Sequence, residues 1–167
     1  MAKHVRINLF DQASLDAAVR RINRLYDNFC KDNDSMLYQL ADDGADYARQ
    51  RVLAYGAIET ETLYNSIMPG ASIDPKKRYT SVLATAPYAA FVEYGTGIVG
   101  SGESHPNPDG WDYDVNDHGD AGWWYYDWAY SNWRWTKGQP AKPFMYDTKL
   151  YLEQKAPKIA AKLYRNL

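Results

Sequence analysis

The sequence predicts an α+β domain. The expected parts are N-terminal helices, a small mostly antiparallel sheet with a short helix beside it, a long aromatic loop, and a C-terminal helix packed on the sheet. Three observations carry this. Apolar residues recur at helical spacing toward both ends, residues around 78–86 alternate and are rich in Tyr, Thr and Val, and helical and extended stretches are grouped rather than alternated, unlike βαβ repeats. A chain of 167 residues, 46% hydrophobic and 24% charged, has enough apolar material for one real core. Residues 1–167 are therefore read as a single domain.

In chain order, Val5, Ile7 and Leu9 alternate with Arg6 and Asn8, which reads as a short strand or extended arm. From Leu15, the apolar residues Ala18, Val19, Ile22, Leu25, Tyr26 and Phe29 predict a helix to about Phe29, capped by Asp11 or Ser14. The polar run Lys31 to Ser35 breaks the pattern and starts a second helix carrying Met36, Leu37, Leu40, Ala41, Tyr47, Ala48 and Val52; the two also fit one kinked helix. Asp42, Asp43 and Asp46 read as a solvated face, since no loop glycine or oxygen-ligand spacing of a divalent-cation site accompanies them.

Next, Thr60 or Thr62 is expected to cap a single helical turn holding Leu63, Ile67 and Met68, ended by Pro69 and Gly70. Asp74 and Pro75 signal a turn, Arg78 to Ala86 a strand, and Ser72 with Ile73 its hairpin partner. The stretch Ala86 to Gly97 then reads as a short helix over Pro87–Gly95. Pro87 suits its first position, Gly95 or Gly97 its end, and Tyr88, Phe91, Val92 and Gly95 form an apolar face seated on the sheet while Glu93 and Thr96 point elsewhere. These glycines follow a helix rather than precede one, and no Lys or Arg occurs between Arg78 and Arg134, so a phosphate loop is not expected.

Residues 99–138 form an aromatic, acidic insertion. The stretch from Ile98 to Trp135 is rich in Gly and Pro, carries Glu103, Asp109, Asp112, Asp114, Asp117, Asp120 and Asp127, and holds all six tryptophans. Such aromatic density argues against disorder. A sheet-covering flap, a carbohydrate or single-strand stacking platform, and a protein interface compete. Stacking on single-stranded nucleic acid needs a basic track that this acidic segment lacks. Interface hot spots favour Trp and Tyr, so Trp111, Trp123, Trp124, Tyr125, Tyr126, Trp128, Trp133 and Trp135 are the expected interface residues, with Trp123, Trp124, Trp128 and Trp133 expected to split between anchoring the flap and meeting a partner. His105 and His118 are expected to be exposed loop histidines; a hydrolase built on them with neighbouring carboxylates is the weakest reading, because no nucleophile with an adjacent base accompanies them.

The chain then predicts a C-terminal helix, with Pro143 near its first turn and Met145, Thr148, Leu152, Ala156, Ile159 and Leu163 on one stripe, kinked or split at Pro157. Arg134 to Leu167 is basic where the insertion is acidic, a pattern that suits head-to-tail contact between subunits as well as it suits a solvated helix face. The formal charge of −2 gives no global attraction to nucleic acid or anionic membrane. Cys30 is the only cysteine, which excludes an intramolecular disulfide and fits a reducing compartment. No apolar run approaches a bilayer span, and no signal-peptide centre is evident near Met1, so a cytoplasmic protein is expected. No cofactor motif stands out.

Four short motifs add to this. P-Y-A-A-F-V-E-Y-G-T-G (Tyr88, Phe91, Val92, Glu93, Tyr94, Gly95, Gly97), W-W-Y-Y-D, and G-Q-P-A-K-P-F-M (Pro140, Pro143, Phe144, Met145) follow in order. Together they resemble the tail-component family of long-tailed phages and prophages. T-E-T-L-Y-N-S-I resembles that family's "T-G-x-L-x-x-S-I" element, with Glu61 in place of the usual glycine. The resemblance runs from about Thr60 to the C-terminus. It implies a non-enzymatic virion component, a tail-completion or neck protein at the head–tail junction, assembled in the host cytoplasm. It further implies a homo-oligomeric ring, expected to be sixfold. The implied contacts are a head-closure or connector protein on one side and the tail tube or tail terminator on the other, with neither membrane nor sequence-specific nucleic acid as partner.

Overall fold

One helix of 43 residues, α1 (Gln12–Ala54), is the spine of the molecule. The computed structural model describes residues 11–57, 61–70 and 79–164. The expected strand at Val5–Leu9 and the turn and hairpin partner at Ser72 to Pro75 lie outside the described residues. Asp11 caps α1, its side chain accepting from the Ala13 N–H at 3.1 Å. The helix runs straight through Lys31 to Ser35, so the expected division into two helices does not occur. These polar residues lower helix propensity by only about 0.5 kcal/mol each, α1 contains no proline, and Phe29 and Asn33 are held by Tyr164 through ring stacking at 5.4 Å and a hydrogen bond at 3.3 Å.

Tyr164 follows α5 (Phe144–Leu163), which lies antiparallel along α1. Asp147 accepts from Arg51 and Tyr55 near one end, Tyr47 stacks on Tyr151 at 4.2 Å, and Lys155 meets Asp43 at 2.8 Å. The aspartate cluster of α1 is therefore partly used in side-chain pairing: Asp43 with Lys155, and Asp46 with Arg49. The C-terminal helix thus packs mainly on α1 rather than on the sheet as expected. Pro157 neither splits nor ends it. Pro157 and Glu153 are both exposed, so the Glu153 carbonyl that loses a helical partner is open to water.

Between these helices come α2 (Thr62–Ser66), β1 (Ile67–Pro69) and β2 (Val82–Ala84). The expected helical turn ends one residue before Ile67, because Pro69 pushes Met68 into extended conformation, and the segment pairs antiparallel with β2 in the register Ile67 to Ala84. Gly44 permits the close crossing of α1 by this sheet and α5: a Cβ there would sit 2.7 Å from Val82 and 3.0 Å from Leu152. Then follow α3 (Ala89–Tyr94), α4 (Gly97–Gly102), a 3-10 turn at Gly119–Ala121, and an antiparallel hairpin of β3 (Trp123–Asp127) and β4 (Asn132–Thr136). The stretch expected to be irregular therefore holds helix and hairpin as well as loop. Ala45, Ala48, Val52, Leu63, Ile67, Ala86, Ala89, Val92 and Phe144 form the core. No helix among the described residues is long and apolar enough to cross a membrane.

Candidate functional site

Two features concentrate side-chain chemistry, one inside the molecule and one on its surface. The inner one begins at α5, whose first N–H groups have no intrahelical partner. Pro143, its N-cap, offers no side-chain acceptor. Glu93 supplies one from α3: its Oε2 accepts from the Met145 N–H at 2.8 Å and its Oε1 from the Tyr146 N–H at 2.9 Å. A carboxylate also complements the positive end of the α5 dipole. His105 completes the shell, with Nε2 3.0 Å from Glu93 Oε1.

Glu93 is 6% exposed and His105 4%, so both expectations for these residues are overturned. Glu93 points inward, not away from the packed face, and His105 is buried rather than an exposed loop histidine. The helical face that seats α3 is Ala89, Val92 and Glu93, whereas Tyr88 and Phe91 are exposed. Pro87 stands before the N-cap, Tyr88, rather than inside the helix. The Asn107 N–H donates to His105 Nδ1 at 3.0 Å, which leaves the Nε2 proton for Glu93. The Asn107 carbonyl also lies 2.8 Å from Nδ1.

Aromatic rings bind this node to the start of the insertion. Tyr146 meets His105 edge-on, His105 lies 4.4 Å from Tyr94, Tyr94 stacks on Trp111 at 4.8 Å, and Trp111 meets Phe91. Trp111 Nε1 donates to the Gly95 carbonyl at 3.0 Å. Gly95 ends α3 with φ 82, and a Cβ there would lie 2.8 Å from Ala141 N and Gln139 O. Pro140 belongs to the extended segment that this close approach admits: Thr96 and Gln139 form an antiparallel bridge, and the Lys142 N–H donates to the Val92 carbonyl at 2.9 Å. Beside Glu93 and His105 opens a cleft of about 400 Å³, with Tyr94, Asn107, Tyr146 and Lys149 among its walls. Both Glu93 oxygens are occupied by donors within the protein, so the geometry is that of a latch holding α3, α5 and the loop at His105 together.

The surface feature is the β3–β4 hairpin. Its pairing sets Trp124 opposite Trp135 and Tyr126 opposite Trp133 on one face. Each pair meets edge-on at 5.6 Å, and Trp128 packs on Tyr126 at 4.6 Å. Yet Trp128 is 81% exposed and Trp124 and Trp133 are each 60% exposed. The opposite face carries one buried residue beside the exposed Tyr125 and Arg134. There Asp127, whose side chain is fully buried, accepts from the Ala129 and Tyr130 N–H groups to close the turn and pairs with Arg134 Nε at 3.2 Å. Arg134 lies 4.5 Å over the Tyr130 ring, and Tyr125 and Arg134 help line a cleft of about 680 Å³ that reaches Gly56.

Of the expected interface residues, Trp111 and Trp123 are half-buried, the latter stacked on His118 at 4.6 Å. Trp124, Tyr125, Trp128, Trp133 and Trp135 are exposed. His118 sits beside Asp114, whose carboxyl is held below its ordinary range by hydrogen bonds from the Gly119 and His118 N–H groups. Among the described residues no group of three or more His, Cys, Asp or Glu side chains is arranged to hold a metal ion. The sequence reading missed the Glu93–His105 contact. A usable signal was present, because a helix that starts at proline without Ser, Thr, Asp or Asn at its cap needs an acceptor from elsewhere. Comparison of the chain with family models, with curated proteins and with solved structures finds no match.

Proposed function

We propose that this chain is a non-enzymatic structural protein of a tailed phage or prophage particle, joining the tail to the head connector as a ring of identical subunits. The observation that carries an assembly role is the aromatic face of the β3–β4 hairpin, which exposes Trp124, Trp128 and Trp133 on a two-stranded support. Contiguous exposed aromatic surface of this kind marks an interaction site rather than a fold requirement. The specific assignment rests on the motif resemblance, and two geometric details support it. The motifs around Glu93 and Phe144 meet through the carboxylate that caps α5. Glu61, standing where the family element has glycine, has φ 55, in the left-handed region that glycine favours.

Disrupting the gene in its phage or prophage tests this directly. DNA-filled heads and separate tails are expected by electron microscopy, rejoined when the purified protein is added; normal yields of joined particles overturn the assignment. A second reading, a carbohydrate-binding module, is favoured by the open ring of Trp128. Saturable glycan-array binding that is lost in Trp128→Ala selects it over the virion role.

A further inference from the structure

We infer that the N-terminal overhang of α1 in one copy docks on the β3–β4 aromatic face of a neighbouring copy, which makes the subunit contact head-to-tail. This rests on the ring reading for its biological setting and on geometry for the contact itself. The α1–α5 pairing runs from Asp147 beside Arg51 to Tyr164 beside Phe29 and Asn33. Residues 12–28 of α1 continue beyond it for about 25 Å at 1.5 Å per residue. On this overhang Ile22 and Leu25 fall at helical spacing with Val19 beside them, while Leu15 and Ala18, further along the same seam, are half-buried and buried. Ile22 is 60% exposed, Val19 55% and Leu25 49%, so these three are apolar helix surface beyond the reach of α5.

The overhang cannot reach the hairpin of its own chain. The hairpin cleft is walled by Gly56 and Ala57, just past the C-terminal end of α1, and Ile22 lies about 50 Å back along the same continuous helix. Contact between the two surfaces has to be made in trans. A contact between two different patches is heterologous, and it forms a ring when its rotation closes.

Charge selects this pairing over overhang against overhang. Residues 12–28 hold Arg20, Arg21 and Arg24 against Asp16 and Asp27, and among the described residues none of the three arginines has a salt bridge. The hairpin is entered from a segment exposing Glu103, Asp109, Asp112, Asp117 and Asp120, with no Lys or Arg from Tyr79 to Trp133. Arginine beside open indole faces adds cation–π attraction. Two overhangs brought together in parallel register would instead face arginines with arginines.

Mixing two defective variants tests the contact. Ile22→Asp with Leu25→Asp removes the overhang surface; Trp124→Ala with Trp133→Ala removes the hairpin surface; and Trp128→Asp, at the most exposed ring, provides a hairpin variant with the edge-on pairs intact. Circular dichroism with wild-type helix content establishes that each is folded. By size-exclusion chromatography with light scattering, each variant alone should need a roughly thirtyfold or higher concentration than wild type to associate. An equimolar mixture of an overhang variant with a hairpin variant should form a one-to-one dimer and nothing larger, because only one intact pair of surfaces remains. A mixture that stays monomeric, or variants that associate as wild type does, overturns the contact. If wild type itself stays monomeric the contact is likewise overturned, while the gene-disruption outcome still decides the virion role independently.

Discussion

The Glu93 node and the β3–β4 aromatic face are both rich in rings, and they differ in what happens to the polar atoms and the solvent. At the node every strong acceptor meets a donor of the same chain: two α5 N–H groups and His105 fill the Glu93 carboxylate, and Tyr94, Trp111 and Tyr146 pack around them. On the hairpin the matched groups, Asp127 with Arg134 and the turn N–H groups, lie apart from the tryptophan pairs. The outward side keeps its tryptophans in water. Satisfied burial is the mark of a fold-holding device, and organised exposure is the mark of a surface awaiting contact.

The largest effect that would break this contrast is at the node. Glu93→Ala should lower stability by about 3–5 kcal/mol, since it strips a buried histidine and a helix terminus of their shared acceptor; urea denaturation measures it. A loss under 1 kcal/mol would remove the latch. Next comes Gly95→Ala, where left-handed φ and the backbone of Gln139 and Ala141 leave no room for a methyl group. A loss of about 2–3 kcal/mol is expected in the same assay. Glu61→Gly should act in the opposite sense and stabilise by about 1 kcal/mol in thermal unfolding, by relieving the strained φ.

On the hairpin, Trp128→Ala should change stability by less than about 0.5 kcal/mol while weakening self-association. Equal losses of stability and association would sink the contrast from the other side. The smallest effect is expected at Asp114. Its carboxyl is depressed by the Gly119 and His118 N–H groups, so its stabilising effect is present above the ordinary aspartate range. It is lost as pH falls through the lower folded value, below about pH 4. Acidification should therefore loosen the turn leading to β3, seen as a change in the His118–Trp123 stack by nuclear magnetic resonance, and Asp114→Asn should blunt that response.

Much of the scaffold is legible in the sequence where a local rule acts alone. Asp11 starts α1, Gly95 ends α3, and the stripe through Thr148 on α5 does face inward. Failures occur where tertiary contacts decide. The polar run Lys31 to Ser35 looks like a break, and Tyr164 closing over Phe29 and Asn33 keeps it helical. Ile67 to Pro69 carries a turn signature in isolation, yet its pairing with Val82–Ala84 makes it a strand. Glu93 among Ala, Phe and Val reads as the polar exception on an apolar helix. Only the uncapped start of α5, fifty residues later in the chain, gives that carboxylate its place inside.

Thr96 and Gln139 bridge across the mouth of the insertion, and the hairpin within it closes on itself, Trp123 facing Thr136. The hairpin therefore stands as a cassette within the insertion, whose His105 and Trp111 belong to the socket itself. Its outward letters can be rewritten, or the whole hairpin exchanged for one of equal span, without altering the Glu93 socket beneath. A protein constructed in this way can acquire a new neighbour by changing a few surface rings while its folding instructions stay the same.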